Sequence, residues 1–229
     1  MASNHTVKSY DEDLGLLKTK LSEMGKEVED QVAKANQALL SRDGGLADVI
    51  IISDQKVNVL QQEVEELGIQ ILATRQPLAQ DLRMVISGLK MASEMERIAD
   101  YAANIARHVH DLDHNPDLDP PLTAVIAMAE IAKGMLVGVL NAYAKGDVSG
   151  AIAVWHRDDQ IDSIYADLLS DLRARMSHDS ESIKAYTGLI FMARCCERIG
   201  DHITNLAENV HYIAHGKTYI DGQVPIIAR

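Results

Sequence analysis

Glu96-Arg97-Ile98-Ala99-Asp100, with Asn104 one turn on, returns as Glu197-Arg198-Ile199-Gly200-Asp201, with Asn205 one turn on. The shift is 101 positions, and Met91-Ala92 matches Met192-Ala193 at the same shift. Nearer the start of each copy the shift is 104: Met24 with Met128, Asp54 with Asp158, Val57 with Ile161. A change of three residues inside a repeat is what a loop absorbs and a helix does not. A duplicated unit is therefore expected, with its loop of variable length between the second and third segments.

The segments read as helices. Val57, Leu60, Val64, Leu67 and Ile71 recur at steps of three and four, as do Ile161, Ile164, Leu168 and Leu172. That spacing buries one helical face against neighbours. Breakers divide the pattern at Asp43-Gly44-Gly45, Gln76-Pro77, Gly146-Asp147 and His178-Asp179-Ser180, with the strongest break at 115–121, rich in Pro and Asp. Six long helices follow, three per copy, and short connections make neighbours antiparallel. The expected architecture is all-α: a first three-helix repeat over 1–115, a linker at 116–121, a second repeat over 122–216 and a tail at 217–229.

Composition agrees with a helical, globular reading. Of 229 residues, 47% are hydrophobic and only 4% aromatic, too few aromatics for a typical sandwich or barrel. The net charge of −12 repels phosphate backbones, so no nucleic-acid partner is expected. Cys195 and Cys196 are adjacent and supply no disulfide framework, and Met1 to Glu12 lacks the pattern of a signal peptide. Leu122 to Ala144 is strongly apolar but interrupted by Glu130 and Lys133, which fits a core helix better than a membrane span. A cytoplasmic protein without membrane insertion is expected. Apolar residues on more than one face of this fourth segment also predict a homodimer or partner contact there.

The third and sixth segments carry an anomaly. Their ladders read Leu82, Val85, Leu89, Ala92, Glu96, Ala99, Ala103, Ala106 and Ile183, Tyr186, Ile190, Ala193, Glu197, Gly200, Thr204, Ala207. A glutamate interrupts a small or apolar seam at the same rung in both. Asp100 and Asp201 lie four residues on, about 6 Å away on the same face. Such acids repel and lose hydration, so something positive must compensate. The facing segments bring Asp54 and Asn58 in one copy, Asp158 and Asp162 in the other. Convergent oxygens suit a hard cation: magnesium, manganese or iron, with zinc less suited. The candidate metal ligands are Asp54, Glu96 and Asp100, then Asp158, Asp162, Glu197 and Asp201, one row per bundle and expected to act independently. The competing reading is that Arg97 and Arg198 neutralise the acids. Asn104 and Asn205 suit ligation or a backbone cap equally.

Other chemistry is thinly represented. His110 and His211 match, but only Glu208-x-x-His211 has the spacing of a ferritin-like di-iron ligand pair, and such a site needs two. No phosphate loop, nucleophile elbow or Cys/His zinc spacing occurs.

Met24-Gly25, Asp54-Gln55-Lys56-Val57-Asn58, Arg75-Gln76-Pro77 with Asp81-Leu82-Arg83, and Glu197-Arg198-Ile199-Gly200-Asp201 together resemble the PhoU family over nearly the whole chain. The resemblance implies two tandem three-helix bundles with metal on duplicated Glu/Asp-x-x-x-Asp motifs. It also implies a non-enzymatic negative regulator of high-affinity phosphate uptake and the phosphate-starvation response. The partners it implies are the ATPase subunit of a phosphate ABC transporter and a membrane sensor histidine kinase. Ala99 departs from the family's usual glycine, which Gly200 keeps. The rival functions are a carboxylate-bridged metal oxidase or hydrolase, and a metal-free helical scaffold.

Overall fold

The computed structural model describes residues 2–110, 112 and 116–219. The first half is α1 (Ala2–Ser41), α2 (Gly44–Arg75) and α3 (Ala79–Val109). A 3-10 turn (Pro116–Leu118) leads into α4 (Asp119–Lys145), α5 (Val148–Trp155), α6 (Asp158–Met176) and α7 (Ile183–His215). No strand occurs among the described residues. The expected all-α duplicated architecture is found.

The duplication extends to the caps. Asp43 accepts a hydrogen bond from the Leu46 amide (3.1 Å) and opens α2, and its counterpart Asp147 accepts one from Gly150 (2.9 Å) and opens α5. Each satisfies an amide that the first helical turn leaves without a partner. Gln76 ends α2 in a left-handed conformation (φ 49°), just before Pro77. Gly146 does the same for α4 (φ 66°), where the missing Cβ removes the strain.

Two local features differ from expectation. The fifth segment is interrupted at His156 and Arg157, giving α5 and α6 where the first half has the unbroken α2. There the Arg157 amide bonds back to the Val154 carbonyl, a tighter turn than the α-helical pattern. The linker expected at 116–121 is shorter, because Asp119, Pro120 and Pro121 already belong to α4. Proline is tolerated in a first turn, where its amide would have no helical partner. Most of the chain between the halves and most of the expected tail, residues 111, 113–115 and 220–229, lie outside the described residues.

The halves share one core. Within the first half α1, α2 and α3 pack on each other, and within the second α4, α5 and α6 pack on α7. Between the halves α3 lies along α7 in the most extensive helix pair of the molecule, and α1 touches α4. The α3–α7 pair is antiparallel: Arg83 donates to the Ile213 carbonyl (3.3 Å) at one end, and His108 stacks on Phe191 (5.3 Å) at the other. Near its middle Tyr101 stacks on His202 at 5.6 Å. These two are equivalent positions of the repeat, so a pseudo-twofold axis passes between them.

α4 passes the length and composition test for a membrane-crossing helix, with mean hydropathy 1.7 over its most apolar window. Its buried residues form the stripe Val125, Met128, Ala132, Met135, Val139 and Ala142 at steps of three and four. No large apolar residue of α4 is exposed. α1, α5, α6 and α7 pack against this helix, and Ile126, Ile131, Val137 and Leu140 stay half-buried.

Candidate metal centre

Both glutamates are held where the ladders place them. Glu96 and Glu197 are 19% and 14% exposed, wedged between buried neighbours Ala92 and Ala99 or Ala193 and Gly200. The first rungs, Leu82 and Ile183, are exposed instead, at the starts of α3 and α7.

In the second half α6 begins at Asp158, and its first turn faces the middle of α7. A Cβ built on Gly200 would lie 2.2 Å from Asp158 Oδ1. The carboxylate thus rests against the α7 backbone in space that only glycine leaves open. Asp158 Oδ1 and Glu197 Oε2 are buried with no hydrogen-bond partner. Burial, with Asp162, Asp201 and Glu197 nearby, pushes Asp158 up to about 7. Asp162 is also raised, by its burial and then by Asp201. Burial and Asp201 raise Glu197 although Arg194 and Arg198 pull the other way. Asp158 and Glu197 are thus drawn inward, whereas Asp162 is exposed and the Asp201 side chain is 43% exposed.

The arginine reading is partly realised. Arg194 lies 2.6 Å from Glu197 Oε1 and Arg198 3.0 Å from Asp201 Oδ2. Arg198 Nε stands 3.6 Å from Glu197 Oε2, close enough to attract but beyond hydrogen-bond range. Both arginine side chains are 41% exposed, so water screens their pairing, and Arg194 also lies over the Tyr165 ring.

The first half is arranged differently. Burial raises Glu96, with Asp100 and Asp54 adding to the rise while Arg97 and His202 oppose it. Arg97 is 3.4 Å away and 57% exposed. Asp54 accepts a hydrogen bond from Gln31 Nε2 (3.1 Å), which also donates to the Ala99 carbonyl (3.2 Å). Asn104 donates to Asp100 (3.4 Å) and accepts from Arg107. Asn205, its counterpart, turns away from the second row to donate to Glu94 across the α3–α7 seam (3.1 Å).

Glu94 also meets His202 Nδ1 at 2.6 Å. Burial works against the Glu94 charge, but the His202 and Asn205 hydrogen bonds outweigh it and hold the carboxyl below its usual range. His202 also acts on Glu96, opposing its rise as the smallest of the contributions there. Glu94, His202 and Gln31 are not duplicated, so no repeated motif marks them. Their counterparts are Cys195, Tyr101 and Met135.

Among the described residues, no three His, Cys, Asp or Glu side chains converge closely enough to make a ready-formed metal site. The second row fits a hard cation through its two partnerless buried oxygens and its like-charged acids. In the first row amide donors already engage both aspartates.

The fold and sequence have clear relatives. The PhoU domain pattern matches twice, over residues 21–109 and 125–210. The phosphate-specific transport system accessory protein PhoU homolog of Caulobacter vibrioides is 37% identical over 215 residues, 94% of each chain. That of Zymomonas mobilis subsp. mobilis is 39% identical over 213 residues, covering 93% of this chain and 90% of the relative. The crystal structure of PhoU from Pseudomonas aeruginosa superposes with a TM-score of 0.87 at 33% identity, over 91% of this chain and all of that one. The phosphate transport system regulatory protein PhoU from Streptococcus pneumoniae gives 0.83 at 29% identity, over 92% and 99%. With both repeats matched and the helices superposing along nearly their whole course, the chain belongs to the PhoU family.

Proposed function

We propose that this protein is a non-enzymatic cytoplasmic regulator of phosphate homeostasis that restrains high-affinity phosphate uptake and the phosphate-starvation response. The observation that carries the reading is the match to accessory proteins of phosphate-specific transport across 94% of the chain, both repeats included. Its partners are the ATPase subunit of the phosphate ABC transporter and a membrane sensor histidine kinase. A helical scaffold of this kind acts by what it contacts, and the paired repeats give it two related surfaces.

A divalent or trivalent cation (iron, manganese or magnesium) belongs to this reading. Asp158, Asp162, Glu197 and Asp201 would hold it in the second half, and Asp54, Glu96 and Asp100 in the first. Bound there, it supplies the positive charge that the raised carboxyls lack. The chain's part is to bring acids from two helices together and to keep them partly out of water.

Deletion in the native host tests the regulatory reading. Uptake and starvation genes should stay active in phosphate-rich medium, and unchanged expression would overturn it. Affinity capture of the tagged protein under high phosphate should recover the transporter ATPase. Turnover of dioxygen or of a phosphate ester by iron- or manganese-loaded protein would replace the regulator with an enzyme.

A further inference from the structure

Gln31 lies on the buried seam of α1, in the series Leu17, Leu21, Met24, Val28, Gln31, Ala35, Ala38, whose other members are apolar. It is 3% exposed. An amide in such a place is costly unless its hydrogen bonds are made. Both partners of its nitrogen, Asp54 Oδ1 and the Ala99 carbonyl, are acceptors. That fixes the amide's orientation, with the N–H groups toward the acidic row and Oε1 left without a partner. The repeat places Met135 at the equivalent position of α4, as it places Met128 opposite Met24. Met135 is fully buried and has no donor. The equivalent carboxylate oxygen, Asp158 Oδ1, has no partner.

We propose that the Gln31 amide stands in for the cation in the first half, so that this chain holds metal tightly only between α6 and α7. The inference rests on the metal-binding part of the proposed function. A hard cation must take the lone pairs of the row's carboxylates. In the second row its rivals are Arg194 and Arg198, half-exposed side chains that can leave toward solvent. In the first row the rival at Asp54 is locked in the core and cannot leave without unpacking α1 from α3. Asn104 occupies Asp100 in addition. Ala99, in place of the glycine at 200, adds a Cβ on the side where Asp158 reaches the α7 backbone.

The test is equilibrium dialysis of the full chain against limiting Mn²⁺, with bound metal counted by mass spectrometry and folding checked by circular dichroism. Asp158→Asn should abolish the tightly held Mn²⁺, whereas Asp54→Asn should leave it in place. Gln31→Glu keeps the shape and replaces the donor with an acid. It should roughly double the tight Mn²⁺ per chain and lower the melting temperature in metal-free buffer, a loss that Mn²⁺ reverses. Gln31→Met, which copies the second half, should also raise the metal content. Equal losses in the Asp54 and Asp158 variants, or an unchanged count in both Gln31 variants, would overturn this inference alone. Wild-type protein that holds no Mn²⁺, iron or Mg²⁺ would overturn the metal reading and this inference with it.

Discussion

The two acidic rows share the pattern Glu-Arg-Ile-x-Asp-x-x-x-Asn yet meet different donors. Around Asp54 and Asp100 the donors are amides, one of them sealed in the core. Around Glu197 and Asp201 the donors are half-exposed arginines, and two buried oxygens stay unbonded. Duplication copies the motif, but the charge state of the motif depends on residues one helix away that were not copied. The lesson is that an acidic motif is legible from its own residues, whereas its electrostatic surroundings are decided by its neighbours.

The sharpest way to break this contrast is through pH. Asp158 rises from 3.8 to about 7, so its neutral form is favoured in the folded state. Between those two values the folded protein holds a proton that the unfolded chain has lost, and stability falls as pH rises. Fully desolvated, such a shift is worth roughly 4 kcal/mol. For a partly exposed carboxylate about half survives, or about 5 °C in Tm. Metal-free protein should therefore melt higher at pH 5 than at pH 8, and Asp158→Asn should flatten that slope. A profile that keeps its slope in the variant would remove Asp158 from the account.

A smaller effect is expected at the sealed amide. Gln31→Met removes one hydrogen bond to a carboxylate and one to a carbonyl, a loss of about 1–2 kcal/mol without metal. Thermal melts at neutral pH check it, and no change would mean that the amide contributes nothing to the first row.

Arginine removal comes next. Arg198→Ala, which faces both Glu197 and Asp201, should cost about 1 kcal/mol at low salt. Arg97→Ala, with one partner at 3.4 Å, should cost less than about 0.5 kcal/mol. A larger loss at Arg97 would reverse the comparison. The gap should narrow when the melts are repeated in high salt.

Gly200→Ala should change stability least, by under about 0.5 kcal/mol. The gain in helix propensity of up to about 1 kcal/mol is offset by driving Asp158 off the α7 backbone. Its mark should be a fall in bound Mn²⁺, and full retention would show that the close approach of Asp158 has no part in binding.

Much of this arrangement was legible beforehand. The helices and their order followed from the three-four spacing and from Asp-Gly and Gln-Pro breaks, because capping and periodicity are local. The split at His156 and Arg157 was not, since it carries neither glycine nor proline. The fourth segment carries apolar residues on more than one face because four helices pack around it. Glu96 and Glu197 are drawn inward as their ladders predict, whereas Asp162 is exposed. The seam contacts of Glu94, His202 and Asn205 depend on how one half meets the other, which periodicity within a helix does not encode. Gln31 did leave a trace, a lone amide on an otherwise apolar ladder.

The stacking of Tyr101 on His202 has a further consequence. When equivalent positions touch, the surface around them is self-complementary, the geometry by which two identical subunits pair. A lone repeat would bare that surface and seek a copy of itself. But a pair of identical chains must set the same side chain on both sides of its axis. Joined in one polypeptide, the copies escape that rule. Tyrosine can lie against histidine, cysteine can answer glutamate, and methionine can answer glutamine. Fusion thus gives one ancestral fold two separately adjustable electrostatic environments, linked through the same seam.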